Sequence, residues 1–349
     1  MMNAEAMRAY LIAEVGVNHN GDPEMALALI DAAAEAGADA IKFQIFNPEA
    51  LASKLASKAP YQKNTTDAEE SQLDMLRRLT LDLSEYRRLI ERCKHNNVNF
   101  LATPFDLESL EFLIQGLGQK LIKIGSGDLT NAPLLLKVAR SGCKVILSTG
   151  MATLNDIQMA LSILAFGYSE PESSMPGMQN FGRAFNSSSG RDRLAANVTL
   201  LHCTTAYPVP FEEVNLHAMN TLAETFRLTV GFSDHTVGIE AAIAAVARGA
   251  SVIEKHITLD RRIQGPDHSA SIEPNKFHEM VQAIRNVEQA LGDGEKILTR
   301  TEHQNIEAAR KSLVAAREIR KGEKFCPQNL TVKRPGGGIS PSEYWDWIG

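Results

Sequence analysis

The stretch YLIAEVGVNHNGDPEMALALIDAAAEAGADAIKFQI, residues 10–45, decides the fold class of this chain. An apolar run, Tyr10–Val15, precedes an amphipathic stretch, Pro23–Ala36, and a second apolar run, Ala40–Phe43, follows. A proline at the first helical position and Gly37 just past the last one are the ordinary start and stop signals of a helix. A strand, a helical crossover and a second strand predict a parallel pair of strands.

The same alternation continues to about residue 290. Helical patterns such as Leu83–Asn96, Leu107–Leu117 and Thr153–Leu164 separate six further strand-like runs: Val98–Ala102, Leu121–Ile124, Lys144–Leu147, Val198–Leu201, Thr229–Phe232 and Ser251–Ile253. Eight strand–helix units predict a closed (β/α)8 TIM barrel. A doubly wound open sheet is the alternative, but the turn after the first strand reads GVNHNGD (16–22) rather than GxGxxG.

Two segments depart from this alternation. Tyr168–Ala196 is rich in Ser, Gly, Pro and Asn, which predicts a long surface loop or an insertion. From residue 310 the chain becomes turn-rich and is too short to bury a core of its own. We therefore expect a barrel domain over 1–290, a linker over 291–309 and a small domain over 310–349.

Composition excludes several classes of protein. The 349 residues include 44% apolar and 22% charged residues, with a net charge of −6, which is ordinary for a globular enzyme and argues against a nucleic-acid partner. No apolar run reaches the ~18 residues of a membrane span. The first residues lack the features of a signal peptide, and the four cysteines show no metal-finger spacing. We expect a cytoplasmic enzyme with reduced thiols and no membrane partner.

Polar side chains follow all eight strand-like runs. In a TIM barrel the carboxyl ends of the strands build the active site, so we expect these side chains to converge. A single lysine or histidine after a strand is usually a solvated loop residue, but a complete set is not. The set comprises Glu14, Lys42, Gln44, Thr103, Lys123, Ser126, Ser148, Thr149, His202, Thr204, Thr205, Tyr207, Ser233, Asp234, His235, Glu254, Lys255, His256, Asp267 and His268.

The chemistry of this set points to a phosphorylated substrate. Lys42, Lys123, Ser126 and Ser148 supply the cations and hydroxyls that bind a phosphate. The remaining acidic and phenolic groups suit proton transfer and recognition of hydroxyls.

A metal site is also expected. His235 and His256 end neighbouring strands, and two imidazoles without a thiolate suit Mn²⁺ or Zn²⁺ better than Ca²⁺. Two protein ligands leave open positions for water and a substrate oxygen. The sequence thus predicts metal-assisted attack on a carbonyl.

At these residues the chain resembles the sialic acid synthase family, which includes bacterial N-acetylneuraminate synthases and their legionaminate relatives. The resemblance runs nearly end to end. The matching stretches include IAEVGVNHNGD (12–22), IKFQIF (41–46), ATPFDLES (102–109), IKIGSGDLTN (122–131), ILSTGMAT (146–153), LLHCTTAYPVPFEEVNL (200–216), GFSDHTVGIEAAIAAVA (231–247) and IEKHITLDRRIQGPDHSASIEP (253–274).

The resemblance implies an activity. Phosphoenolpyruvate would condense with N-acetylmannosamine to give N-acetylneuraminate and phosphate, with Mn²⁺ as the expected metal and Mg²⁺ or Co²⁺ as alternatives. The alternative sugar is 2,4-diacetamido-2,4,6-trideoxymannose, the substrate of a legionaminate synthase. A pyruvate-dependent metal aldolase and a non-catalytic sugar- or ice-binding protein are more distant alternatives.

The resemblance also assigns roles residue by residue. It implies that His235 and His256 bind the metal, that Glu14 is catalytic and that Glu254 acts beside the metal. The phosphoenolpyruvate site corresponds to Lys42, Thr103, Lys123, Ser126 and Ser148. The sugar contacts correspond to Gln44, Tyr207, Asp267 and Arg334.

The C-terminal unit resembles the antifreeze-like (SAF) domain of the same family. In relatives this domain covers the active site of the partner subunit in a swapped homodimer, and the arginine matching Arg334 reaches the N-acetyl group of the sugar. Relatives commonly continue past the position of Gly349 with another lysine-containing strand, so we expect this small domain to be shorter than theirs.

Overall fold

The computed structural model describes residues 8–53, 55–67, 69–334 and 337–349. The chain divides into two compact units, the first ending at Leu291 and the second spanning Gly292–Gly349. No helix in these described ranges is long and apolar enough to cross a membrane. All four cysteines are free thiols, as the sequence predicts.

The first unit is a TIM-like barrel, which confirms the predicted fold class. Its eight strands are β1 (Tyr10–Gly16), β2 (Ala40–Ile45), β3 (Asn99–Pro104), β4 (Leu121–Ile124), β5 (Lys144–Ser148), β6 (Val198–His202), β7 (Thr229–Asp234) and β8 (Val252–His256). All pairings between them are parallel, in the order β3-β2-β1-β8-β7-β6-β5-β4. β3 and β4 lie side by side at the seam, where the described residues form no hydrogen-bonded ladder. The sheet is therefore nearly closed, which rules out the doubly wound alternative.

Helices lie between consecutive strands along the chain and after β8. They are α1 (Pro23–Glu35), α2 (Pro48–Leu51), α3 (Pro60–Thr65), α4 (Gln72–Leu79), α5 (Glu85–His95), α6 (Leu107–Glu111), α7 (Ala132–Arg140), α8 (Leu154–Ser169), α9 (Met178–Asn186), α10 (Ser188–Asn197), α11 (Ala218–Phe226), α12 (Glu240–Ala247) and α13 (Pro274–Leu291). Side-chain caps fix where they begin: Asp22 accepts the Glu24 N–H at the start of α1, and Thr153 forms a capping box with Asp156 at the start of α8.

The barrel interior is divided into an apolar floor and a polar mouth. Six buried residues, one from each of six strands, fill the floor: Ile12, Ala40, Leu101, Ile146, Leu201 and Val252. Side chains alternate between the two faces of a strand. The residue two positions after Ile12, which is Glu14, therefore points into the same interior, one layer nearer the carboxyl ends. The floor closes the barrel from below, so the polar residues form a pocket rather than a pore.

The predicted loop over Tyr168–Ala196 is wrong. α8 continues to Ser169, and α9 and α10 occupy most of the segment. Phe181 is buried and packs edge-on against Phe166 of α8, with ring centroids 5.2 Å apart. Composition favoured a loop, but apolar residues at helical spacing give these polar helices a face to bury, and tertiary packing outweighs weak local propensity.

The second unit contains an antiparallel hairpin of β9 (Ser312–Ala315) and β10 (Leu330–Lys333), with Leu330 opposite Ala315. A helix, α14 (Arg300–Ala309), precedes the hairpin and lies within the segment expected to be a linker. A short helix, α15 (Tyr344–Trp347), comes near the end. The predicted linker is therefore partly helical.

Candidate active site

The mouth of the barrel contains a cavity of about 150 Å³ at the carboxyl ends of the strands. Eleven of the thirteen site residues expected from the sequence line it: Glu14, Lys42, Gln44, Thr103, Lys123, Ser126, Ser148, Tyr207, His235, Glu254 and His256. Each strand, or the turn that follows it, contributes at least one of these residues. The site is therefore spread over eight separate segments of the sequence.

Two expected residues lie elsewhere. Asp267 is buried in the loop after β8, where its main-chain carbonyl accepts a hydrogen bond from the Ser271 hydroxyl at 2.7 Å, and it does not line the cavity. Arg334 directly follows β10 and is exposed on the second unit. Their proposed contacts with the sugar stay predictions.

Two buried lysines and two buried carboxylates form the centre of the cavity. The Lys42 Nζ lies 2.6 Å from Glu14 Oε2 and 3.7 Å from Glu254 Oε2. The Lys123 Nζ lies 3.6 Å from Glu254 Oε1 and donates to the Ser148 hydroxyl at 2.7 Å. Ionised, the four groups balance to zero charge. In this ionised state both ammonium groups can bind an incoming anion, and no buried charge is uncompensated before the anion arrives. Burial lowers the pKa of Lys123, whereas the carboxylates of Glu14 and Glu254 raise that of Lys42 despite its burial.

The two carboxylates of this group have different proton affinities. Burial raises the pKa of Glu14, against the opposing effect of Lys42. Burial also disfavours the ionised form of Glu254, but Lys123 and Lys42 outweigh it and bring the Glu254 pKa to about 2. Neighbouring carboxyl groups with pKa values shifted in opposite directions are typical of acid–base sites. Glu14 is therefore the group suited to exchange a proton, while Glu254 stays ionised.

The Ser126 hydroxyl lies in a narrow cradle. It accepts the Gly150 N–H at 3.0 Å and lies 3.2 Å from the Cys203 Sγ. A Cβ on residue 150 would lie 2.3 Å from the Thr205 hydroxyl oxygen and 2.8 Å from that of Ser126, so only glycine fits. The sequence pattern predicts no role for Gly150 or Cys203. The STGM turn after β5 was the available signal for the glycine.

The two histidines are neutral. Burial lowers the pKa of His235 and lowers that of His256 well below its usual value. His235 Nδ1 lies 2.8 Å from the Thr204 carbonyl, which can only accept, so the proton is on Nδ1 and the Nε2 lone pair faces the cavity. The Ser233 hydroxyl lies 3.3 Å from that Nε2 and donates instead to the closer Glu254 carboxylate at 3.0 Å.

The donor set fits a two-histidine metal site. His256 Nδ1 is buried without a hydrogen-bond partner among the described residues, and the two imidazole centroids are 5.5 Å apart. No group of three or more His, Cys, Asp and Glu side chains in the described ranges is arranged to hold an ion. Two neutral imidazoles would leave the other coordination positions to water and substrate oxygens, as in catalytic sites.

The Tyr207 ring contacts both histidines. Its ring centroid lies 4.3 Å from that of His235 and 5.6 Å from that of His256, the second contact being edge-to-face. An aromatic face bordered by polar groups suits the ring of a sugar.

Comparison with known proteins finds matches along nearly the whole chain. Residues 29–296 match the NeuB family, and residues 310–348 match the SAF domain. An N,N'-diacetyllegionaminic acid synthase of Campylobacter jejuni is 48% identical over 98% of this chain and 95% of its own length. One from Legionella pneumophila is 40% identical over 99% of this chain and 90% of its own length. A crystal structure of an N-acetylneuraminic acid (sialic acid) synthetase from Leptospira borgpetersenii superposes with a TM-score of 0.67 at 34% identity, covering 86% of this chain and 90% of the other.

Proposed function

Because this chain belongs to the NeuB family, we propose that it is a legionaminate synthase, which condenses phosphoenolpyruvate with 2,4-diacetamido-2,4,6-trideoxymannose and releases phosphate. One observation supports this class of reaction: two buried lysines and two buried carboxylates lie beside two neutral histidines. The relatives named N,N'-diacetyllegionaminic acid synthases, at 48% and 40% identity, support this sugar. They favour it over N-acetylmannosamine, the sugar expected first from the sequence.

Phosphoenolpyruvate binding is the first task of the cavity. Lys42 and Lys123 supply the positive charge, and the Ser126 and Ser148 hydroxyls supply hydrogen bonds to phosphate or carboxylate oxygens. Binding this anion draws Lys42 away from Glu14. The proton affinity of Glu14 then rises further, because its closest cation has gained another partner.

Bond formation follows in balanced steps. The methylene carbon of phosphoenolpyruvate bonds to the aldehyde carbon of the open-chain sugar, whose carbonyl oxygen takes up a proton from Glu14. Water adds to the carbon that carries the phosphate and returns a proton to Glu14. The bond between that carbon and the bridging oxygen then breaks while the new hydroxyl passes its proton to the departing phosphate, which leaves a keto acid.

His235 and His256 would hold a divalent ion, with Mn²⁺ as our first choice. Such an ion would polarise the aldehyde carbonyl. The chain's own contribution is to keep both imidazoles neutral and oriented, through Thr204 for His235 and through burial for both.

We extend the proposal to the assembly. By analogy with the family, two copies form a homodimer in which the SAF domain of one subunit completes the site of the other through Arg334. The free cysteines and the absence of a membrane-spanning helix in the described ranges are compatible with a cytoplasmic enzyme.

One assay tests the activity. Purified enzyme is stripped of metal and incubated with phosphoenolpyruvate plus either sugar, with and without Mn²⁺, and phosphate release is measured. We expect release only with both substrates and Mn²⁺, and a higher kcat/KM with the diacetamido sugar than with N-acetylmannosamine. A higher kcat/KM with N-acetylmannosamine would reassign the sugar. Condensation with pyruvate and no phosphate release would reassign the reaction to an aldolase.

A further inference from the structure

A buried ion pair lies directly behind the two histidines and outside the cavity. The Lys255 Nζ contacts Asp234 Oδ2 at 2.7 Å, and both side chains are at most 1% exposed. Asp234 and Lys255 are direct partners across the β7–β8 ladder. Each precedes a cavity histidine, His235 or His256, by one residue. Because side chains alternate along a strand, the pair points away from the cavity while both imidazoles point into it.

The pair also anchors the residue that follows His235. Both the Thr236 N–H and its hydroxyl donate to Asp234 Oδ1, at 2.8 and 2.7 Å. The Lys255 ammonium donates to the Thr236 carbonyl at 2.8 Å. Every polar group of Thr236 is therefore held by one of the two charged side chains. The backbone on both sides of His235 is thus tied to the strand that carries His256.

The attraction between the two charges does not by itself explain why they are buried. Desolvation of two ions usually offsets their attraction, and a well-packed apolar pair in such a place is often as stable. An apolar pair, however, would leave the three polar groups of Thr236 without these partners. It would also not fix the position of the end of β7 relative to the end of β8. The ion pair and its hydrogen bonds instead fix the direction in which the backbone presents the two imidazoles.

We propose that the Asp234–Lys255 pair is a positioning device that sets the separation and orientation of the His235 and His256 rings, and thereby the affinity of the site for its divalent ion. This inference rests on the proposed metal role of the two histidines. Neither Asp234 nor Lys255 lines the cavity, so both act through the histidines and are not catalytic residues.

The decisive variant replaces the pair by apolar residues, Asp234→Leu/Lys255→Met. We expect its melting temperature to fall, because the buried polar groups of Thr236 lose their partners. The Kd of the folded, metal-free protein for Mn²⁺ should rise roughly 10- to 100-fold, the usual effect of losing groups that orient metal ligands. The visible spectrum of the Co²⁺-loaded protein should also change, since it reports ligand geometry. Lys255→Met alone should weaken Mn²⁺ binding similarly and also lower the melting temperature, because it leaves Asp234 buried and unpaired.

The matched control is Arg285→Met. It breaks a different ion pair, one that is only partly buried, in which the Arg285 Nη2 lies 3.0 Å from Asp39 Oδ2. Asp39 precedes β2, so this pair lies at the amino ends of the strands, far from the histidines. This variant should lose stability and keep the Mn²⁺ affinity of the wild type. Affinity that simply follows melting temperature across the series would contradict a positioning role.

Two outcomes overturn the inference separately from the proposed function. If His235→Ala/His256→Ala binds Mn²⁺ like the wild type, the metal assignment fails. If that variant loses Mn²⁺ but the apolar double variant binds it with wild-type affinity and an unchanged Co²⁺ spectrum, the metal site stands and the positioning role is wrong. Should the double variant not fold, the same comparison with folded Lys255→Met, at a temperature below its melting point, decides the question.

Discussion

At the scale of single residues, Glu14 and Glu254 show how position decides chemistry. Both are buried glutamates beside Lys42, yet burial raises the pKa of Glu14. Burial also disfavours ionisation of Glu254, but the second cation, Lys123, helps bring its pKa to about 2. The difference predicts separable roles, with Glu14 exchanging a proton and Glu254 remaining a fixed charge.

Glu14→Gln tests this difference. We expect kcat to fall about 10²- to 10⁴-fold, the range for loss of a general acid or base. The KM for phosphoenolpyruvate should fall or stay unchanged, because the cavity gains net positive charge. Glu254 Oε2 stays 3.7 Å from Lys42, so the fold should persist. The measurements are kcat and KM from phosphate release and the melting temperature.

The matched control is Glu111→Gln, which breaks an exposed ion pair with Lys137 and should change neither kcat nor KM. A Glu14→Gln enzyme with wild-type kcat would make Glu14 structural. A strongly raised KM with unchanged kcat would make it a binding residue only.

Two other buried residues, His19 and His268, predict a pH-dependent stability. Burial lowers the pKa of each to about 4, from an ordinary value of 6.5. Below pH 6.5 the unfolded chain therefore binds protons that the folded chain does not, so stability falls as the pH falls from 6.5 towards 4. Between pH 7.5 and 5.0 each histidine should remove up to about 2 kcal/mol from the free energy of unfolding.

Urea unfolding at the two pH values measures this loss. In His268→Asn the difference between pH 7.5 and 5.0 should shrink by up to about 2 kcal/mol, since one buried imidazole is gone. His278→Asn, on the exposed face of α13, is the control and should keep the full difference. An equal loss in all three proteins would assign the effect to other groups.

At the scale of elements, the helical pair α9–α10 predicts opposite effects for two glycines. A Cβ on Gly190 in α10 would lie 1.9 Å from the Ala184 carbonyl oxygen, a backbone atom that cannot easily move. Gly190→Ala should therefore destabilise the protein by about 1–3 kcal/mol, the usual cost of overpacking. Gly182 in α9 has nothing within 4 Å of such a Cβ. Gly182→Ala should instead stabilise by about 0.5–1 kcal/mol through lower chain entropy.

Melting temperatures of the two variants give the comparison. Opposite signs would support the packed helical pair. If both variants changed the melting temperature equally and negligibly, the two helices would not be packed as described. The segment would then be a loop, as its composition predicts.

At the scale of the whole molecule, the proposed exchange between subunits predicts complementation. Arg334→Ala and Glu14→Gln subunits, each nearly inactive alone, are co-expressed with different tags and the heterodimer is isolated. If Arg334 acts on the partner's site, one site carries both changes and the other is intact. The activity should then return towards half of the wild-type value per dimer.

An inactive heterodimer would mean that Arg334 serves its own barrel or no site. Arg334→Ala should also raise the KM for the sugar more than that for phosphoenolpyruvate, because the barrel lysines bind the anion. Equal effects on both KM values would argue against contact with the sugar.

The sequence by itself determined the order of the strands and eleven of the residues that line the cavity. Strand periodicity is a local property, so Tyr10–Val15 and its seven counterparts were recognisable along the chain. The carboxyl ends of parallel strands share one side of a barrel, so residues as distant as Glu14 and His256 were expected to meet. The structure places them as partners across the β1–β8 ladder.

Only the tertiary structure decided how those residues are paired and charged. Distances of a few ångströms between different strands decide which lysine contacts Glu14 and which carboxylate stays ionised. They also decide that Asp234 contacts Lys255 behind the histidines. The helices in Tyr168–Ala196 likewise depend on apolar contacts with α8, which composition does not reveal. Proton affinity and helix stability at such places are set by burial and by non-local neighbours, and neither is written in a local stretch of sequence.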